Sequence, residues 1–138
     1  MTKVIAALVV VGLMTVSAMG QTFAKVRVPF AFIMGDAKLP AGTYEIAALG
    51  ANTTRFRNTE KPNIVAVANL IHLSRGNGNT VADKASVVFT RYETDYYLSE
   101  IWPAGELIGR GLVKSEHEIQ LAKRVQPVRI ESVAASQP

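Results

Sequence analysis

KASVVFTRYETDYYLSEIW, residues 84–102, joins two runs of β-branched and aromatic residues through the polar Glu93, Thr94 and Asp95. That pattern predicts a strand, a tight turn and a returning strand. With the three polar residues as the loop, Tyr92 pairs with Tyr96, Arg91 with Tyr97, Phe89 with Ser99 and Val87 with Ile101. One face of this ribbon then carries Val87, Phe89 and Ile101 and suits a core. The other carries Val88, Tyr92, Tyr96, Leu98 and Trp102 with Glu100 among them, either as a second packed face or as an aromatic surface open to a ligand.

Working outward, the flanking chain repeats the strand-and-turn grammar. Val26, Val28, Phe30 and Phe32 alternate over residues 25–33, and Pro29, lacking an N–H, marks a sheet edge or a bulge. Gly35 and Asp36 turn the chain toward a second alternating run at 43–49, so these two runs form a further hairpin. Residues 53–58 give a short strand with Phe56 inward and Arg55 and Arg57 outward. Residues 64–73 are apolar on both faces apart from Asn69 and His72, which suits the middle of a sheet or a place between two layers. A glycine-rich loop is expected at 75–80, and a weaker strand at 106–113, interrupted by Gly109 and Gly111.

The single helix signal comes late in the chain. Ser115 as N-cap with Glu118 three residues on makes a capping box, followed by a thin stripe of Ile119, Leu121 and Ala122 and by Lys123 and Arg124. Pro127 closes it, and 128–130 form a last extended run. The expected fold is therefore all-β: an antiparallel β-sandwich, or alternatively a small β-barrel, of seven or eight strands with one short C-terminal helix.

The first 20 residues have the three parts of a secretory signal peptide: Lys3, an apolar run over 4–16, and small residues at 17–20 that allow cleavage before Gln21 or, alternatively, after Ala18. The run is too short for a bilayer span, which needs about 20 residues. The organisation expected is a signal peptide at 1–20, one β-domain at 21–130 and a flexible tail at 131–138. The product is exported, periplasmic or secreted, with no membrane span after cleavage. Loss of Lys3 leaves 14 basic against 11 acidic residues, and these are not gathered into a patch, which argues against nucleic acid as a partner. The chain has no cysteine, which removes disulfides, thiolate metal sites and thiol nucleophiles.

Segments 29–46 (PFAFIMGDAKLPAGTYEI) and 87–102 (VVFTRYETDYYLSEIW), the latter continued by Gly109, Arg110 and the LVKS and LAKR segments up to 124, resemble a group of small exported proteins of acidobacterial type, of unknown function. The resemblance implies a secreted all-β domain and carries no activity or site residue with it.

Chemistry is sparse. His72 in the apolar strand reads as a structural histidine and His117 as solvated, and their spacing matches no metal site. Glu100 reads as an acid paired with Arg91 or Arg110, or as exposed. The Lys114-Ser115 pair lacks the glycine of a phosphate loop, and no dinucleotide fingerprint occurs, so no cofactor is expected. No catalytic residue is nominated. The reading is a non-catalytic binding module for an envelope polymer or protein, with Arg91, Tyr92, Tyr96, Tyr97, Glu100 and Trp102 as candidate ligand-binding residues, since flat aromatic rings grip a partner at small entropy cost. A structural subunit joined through strand edges 25–33 and 128–130 is the alternative. A small hydrolase using Glu100 with His72 or an arginine is more distant. Oligomeric state is left open.

Overall fold

The computed structural model describes residues 21–74 and 84–133. The expected leader, the loop at 75–80 and the tail at 134–138 lie outside the described residues. Ten strands and one short helix follow in the order β1 (Gln21–Val28), β2 (Phe32–Met34), β3 (Ala37–Leu39), β4 (Gly42–Ala48), β5 (Thr53–Asn58), β6 (Val65–Ser74), β7 (Ser86–Tyr92), β8 (Asp95–Trp102), β9 (Ile108–Leu112), α1 (Glu116–Ala122) and β10 (Val128–Val133). The all-β class with one late helix is as the sequence predicts. Among the described residues the strands number ten, against the seven or eight expected, because the run at 25–33 breaks at Pro29, after which β2 and β3 form their own small hairpin around Gly35 (φ 64°). β10 reaches Val133, three residues into the segment assigned to the tail.

All ten strands belong to one open, mixed sheet. It is antiparallel except at Ile33–Tyr97, where β2 lies parallel to β8. β6 links its two arms: residues 65–69 pair with β5 and residues 70–74 with β9. The arms face each other across one core. Phe32 sits at its centre, with ring centroids 5.3 Å from Tyr44, 6.2 Å from Phe56 and 5.3 Å from Phe89, side chains from both arms. β1, β3 and β10 are the outer strands, and β1 and β10 come back into contact with each other without pairing. The layering of a sandwich is thus made by one doubled-over sheet instead of two separate ones.

β6 occupies the middle of the sheet as predicted, but not a position between layers. Ala66 and Leu70 are buried, whereas Val65, Val67 and Ile71 on the opposite face are exposed. His72 is exposed too, so it is not an interior histidine.

The β7–β8 ribbon differs from its predicted register in two places. Glu93 takes a positive φ (58°), which shortens the loop to Glu93 and Thr94 and pairs Tyr92 with Asp95, Arg91 with Tyr96 and Phe89 with Leu98. A bulge at Ser99 then adds one residue to β8, so Val87 meets Ile101 after all. Leu98 and Tyr96 consequently point to the core side, where Tyr96 stacks on Phe30 at 3.8 Å. Tyr92, Glu100 and Trp102 remain on the outer face, and Tyr97, expected opposite Arg91, pairs with Thr90 and joins them.

Candidate functional site

The outer face of the ribbon is closed by α1. Ser115 caps the helix as predicted, its Oγ accepting from the Glu118 N–H at 3.2 Å. The side chain of Glu118, however, does not return to the cap. It turns into the sheet, is 5% exposed, and accepts a 2.9 Å hydrogen bond from the Tyr92 hydroxyl. Burial raises the carboxyl above the usual glutamate range, while the Tyr92 bond and the Lys114 charge pull it back down. Tyr92 is pushed up to about 12 by its own burial first, and then by the bond to Glu118.

Beside this pair lies Tyr97, its ring edge-on to Tyr92 at 5.5 Å and tilted against the His117 ring at 6.5 Å. Tyr97 is 2% exposed, and its hydroxyl has no hydrogen-bond partner. Its acidity is lowered by burial, with further contributions from Asp95 and Glu118. Such an unmet hydroxyl costs about 1–3 kcal/mol against one that is satisfied.

Tyr97 lines a cleft of about 220 Å³ whose other walls are Asp36 and Lys38 of the β2–β3 hairpin, Asp95 at the start of β8, and Ser115 and His117 at the head of α1. Lys38 and Asp95 also border a smaller neighbouring cleft that ends on Tyr96. On the far side of α1 a third cleft, about 260 Å³, is lined by Thr90, Tyr92, Lys114 and Arg129. Three of its polar groups are already engaged, Tyr92 by Glu118, Thr90 by the Ser99 hydroxyl at 2.6 Å, and Arg129 by Glu100, which leaves Lys114.

The six nominated residues therefore divide. Tyr92, Tyr97, Glu100 and Trp102 share the outer face; Arg91 and Tyr96 lie on the core side. Glu100 is held by Arg129 through two bonds of 2.8 and 3.2 Å, not by Arg91 or Arg110, and it accepts the Trp102 indole N–H at 2.8 Å. The Trp102 ring covers Gly109, where an added Cβ would lie 2.5 Å from ring carbons. The register sets His72, Arg110 and Ile101 on one face and Ile71, Gly111 and Glu100 on the other, so Glu100 and His72 do not converge. Among the described residues no cluster of three or more His, Asp or Glu is placed to hold a metal, and no helix is long and apolar enough to cross a membrane.

Sequence reasoning missed Glu118 and the charged rim of the cleft. The signal was present: Glu118, Leu121, Ala122 and Val125 follow the i, i+3, i+4, i+7 spacing of one helical face, with the acid where an apolar residue is expected. The capping box gave Glu118 a sufficient local role and hid the longer-range one. No protein-family model, curated protein or solved structure matches this chain.

Proposed function

We propose that this chain is an exported, non-catalytic β-domain that acts as a binding module in the cell envelope or outside the cell. Its site is the cleft at Tyr97 rather than an open aromatic face. The observation that supports this most is that Tyr97, which lines that cleft, keeps a buried hydroxyl without a partner, since buried polar groups are otherwise satisfied. A ligand atom reaching the hydroxyl removes its penalty. Tyr92 and Trp102, by contrast, have their polar tips engaged and their rings packed, and serve to hold the wall in place. The leader pattern at 1–20 and the resemblance to small exported proteins support the location. A cleft of this size lies below the several hundred Å³ of sites for drug-sized ligands, which favours a small ligand or one residue of a larger one.

The test is an NMR titration of the mature chain with small polar compounds derived from envelope material. Shifts confined to Lys38, Asp95, Tyr97 and His117, weakened in Tyr97→Phe, support the reading; a panel that leaves these residues unmoved counts against it. N-terminal sequencing of the exported product tests the leader, with Gln21 expected first.

Self-association is a second reading, favoured by the position of β1 and β10 as outer strands, each paired along one side. Light scattering on the purified chain separates the two: a monomer at all concentrations removes it.

A further inference from the structure

The charges around the Tyr97 cleft specify more than polarity. Asp36 and Asp95 bring two carboxylates to its rim, and Lys38 and His117 bring an ammonium and an imidazole. Asp36, Lys38 and Asp95 are exposed and enter no ion pair with one another, so none is spent in neutralising its neighbour. Tyr97 lines the same cleft, and its buried, unpartnered hydroxyl is able both to donate and to accept. The cleft holds roughly seven water-sized groups, taking about 30 Å³ for each. We infer that it takes a small zwitterion, a free α-amino acid or a molecule of that size and charge pattern, with the ligand ammonium toward Asp36 and Asp95 and its carboxylate toward Lys38 and His117. This inference rests on the binding-module reading and narrows it to one ligand class. Opposite charges around one cleft discriminate against any ligand carrying a single charge, because such a ligand leaves one set of rim groups unmatched.

Three compounds isolate the two charges: L-serine, ethanolamine, which lacks its carboxylate, and 3-hydroxypropanoate, which lacks its amine. Glucose serves as a neutral polar control. Calorimetry and NMR on the mature chain are expected to show serine binding at least about tenfold more tightly than either single-charge analogue. Lys38→Glu and Asp95→Lys are each expected to reduce serine binding by about tenfold while leaving the melting temperature unchanged, because both side chains are exposed. Tyr97→Phe is expected to weaken it about fivefold, the loss of one hydrogen bond. If glucose or one single-charge analogue binds at the cleft as well as serine does, the zwitterion assignment is overturned and the binding module stands. If no compound moves the resonances of the cleft, the site itself is wrong and both readings fall.

Discussion

The two faces of the β7–β8 ribbon are built from the same residue types and do different work. Inward, Phe89, Leu98 and Ile101 meet Phe32 and Phe30 with no polar atom to satisfy, and the rings settle into edge-on contacts such as the 4.9 Å approach of Phe30 to Phe89. Outward, Tyr92, Tyr97 and Trp102 carry polar tips, and each tip needs a partner once α1 and β10 cover the face. Glu118 answers Tyr92 and Glu100 answers Trp102. Tyr97 has no answering group, and that one omission falls beside an opening. The inner face supplies stability through area removed from water; the outer face fixes α1 and Arg129 in place and leaves one hydroxyl for something outside the chain.

The contrast can be broken first at its apolar side. Phe32→Ala removes the ring that touches both arms and is expected to cost about 3–5 kcal/mol in denaturant unfolding. A loss under 1 kcal/mol would mean that the arms do not share a core. The polar side is read by alkaline titration. Tyr92 ionises at about 12 in the folded chain against 10.0 for a free phenol, so the unfolded chain gives up this proton first. Stability that is fully present below pH 10 falls as pH rises toward 12, by ~2–3 kcal/mol from Tyr92. Tyr44 and Tyr97 shift in the same direction. In Tyr92→Phe the decline should be visibly shallower; an unchanged decline would place the effect elsewhere.

Smaller effects sharpen the picture of how the faces are kept apart. Gly109→Ala forces the Trp102 ring off β9 and is expected to cost about 1–3 kcal/mol, with a red shift in tryptophan emission as the indole meets water. Emission and stability both unchanged would show that the ring does not lie on Gly109. Least in size, Glu93→Gly relieves a left-handed backbone in a non-glycine residue and should raise stability by about 0.5–1 kcal/mol, provided that the two-residue loop is correct. A three-residue loop predicts no gain.

The last point marks where sequence pattern stopped being informative. Runs of apolar residues placed most of the strands, though not β3 or the break between β1 and β2, and the capping box placed the start of α1. The ribbon's faces were not legible, since a one-residue change in loop length moves every later side chain to the opposite face. Nothing in Glu93 announces a positive φ, and nothing in Ser99 announces a bulge. The two irregularities cancel at Val87 and Ile101, so the predicted core pair survives while Tyr96, Tyr97 and Leu98 change sides. The site suffered for the same reason. Its rim is assembled from the β2–β3 turn, the start of β8 and the head of α1, three places separated in sequence and brought together by the Ile33–Tyr97 pairing and the Tyr97–His117 ring contact. Aspartates at turns carry a sufficient backbone explanation, which concealed their convergence.

A crystal structure of the mature chain at a resolution that places individual waters tests the central claim most directly, through the surroundings of the Tyr97 hydroxyl. An ordered water or ligand atom about 3 Å from the oxygen, entering from the side of Lys38, Asp95 and His117, is the predicted result. A hydroxyl bonded to Glu118 or to another protein group, or sealed against carbon atoms with no solvent within reach, would contradict it.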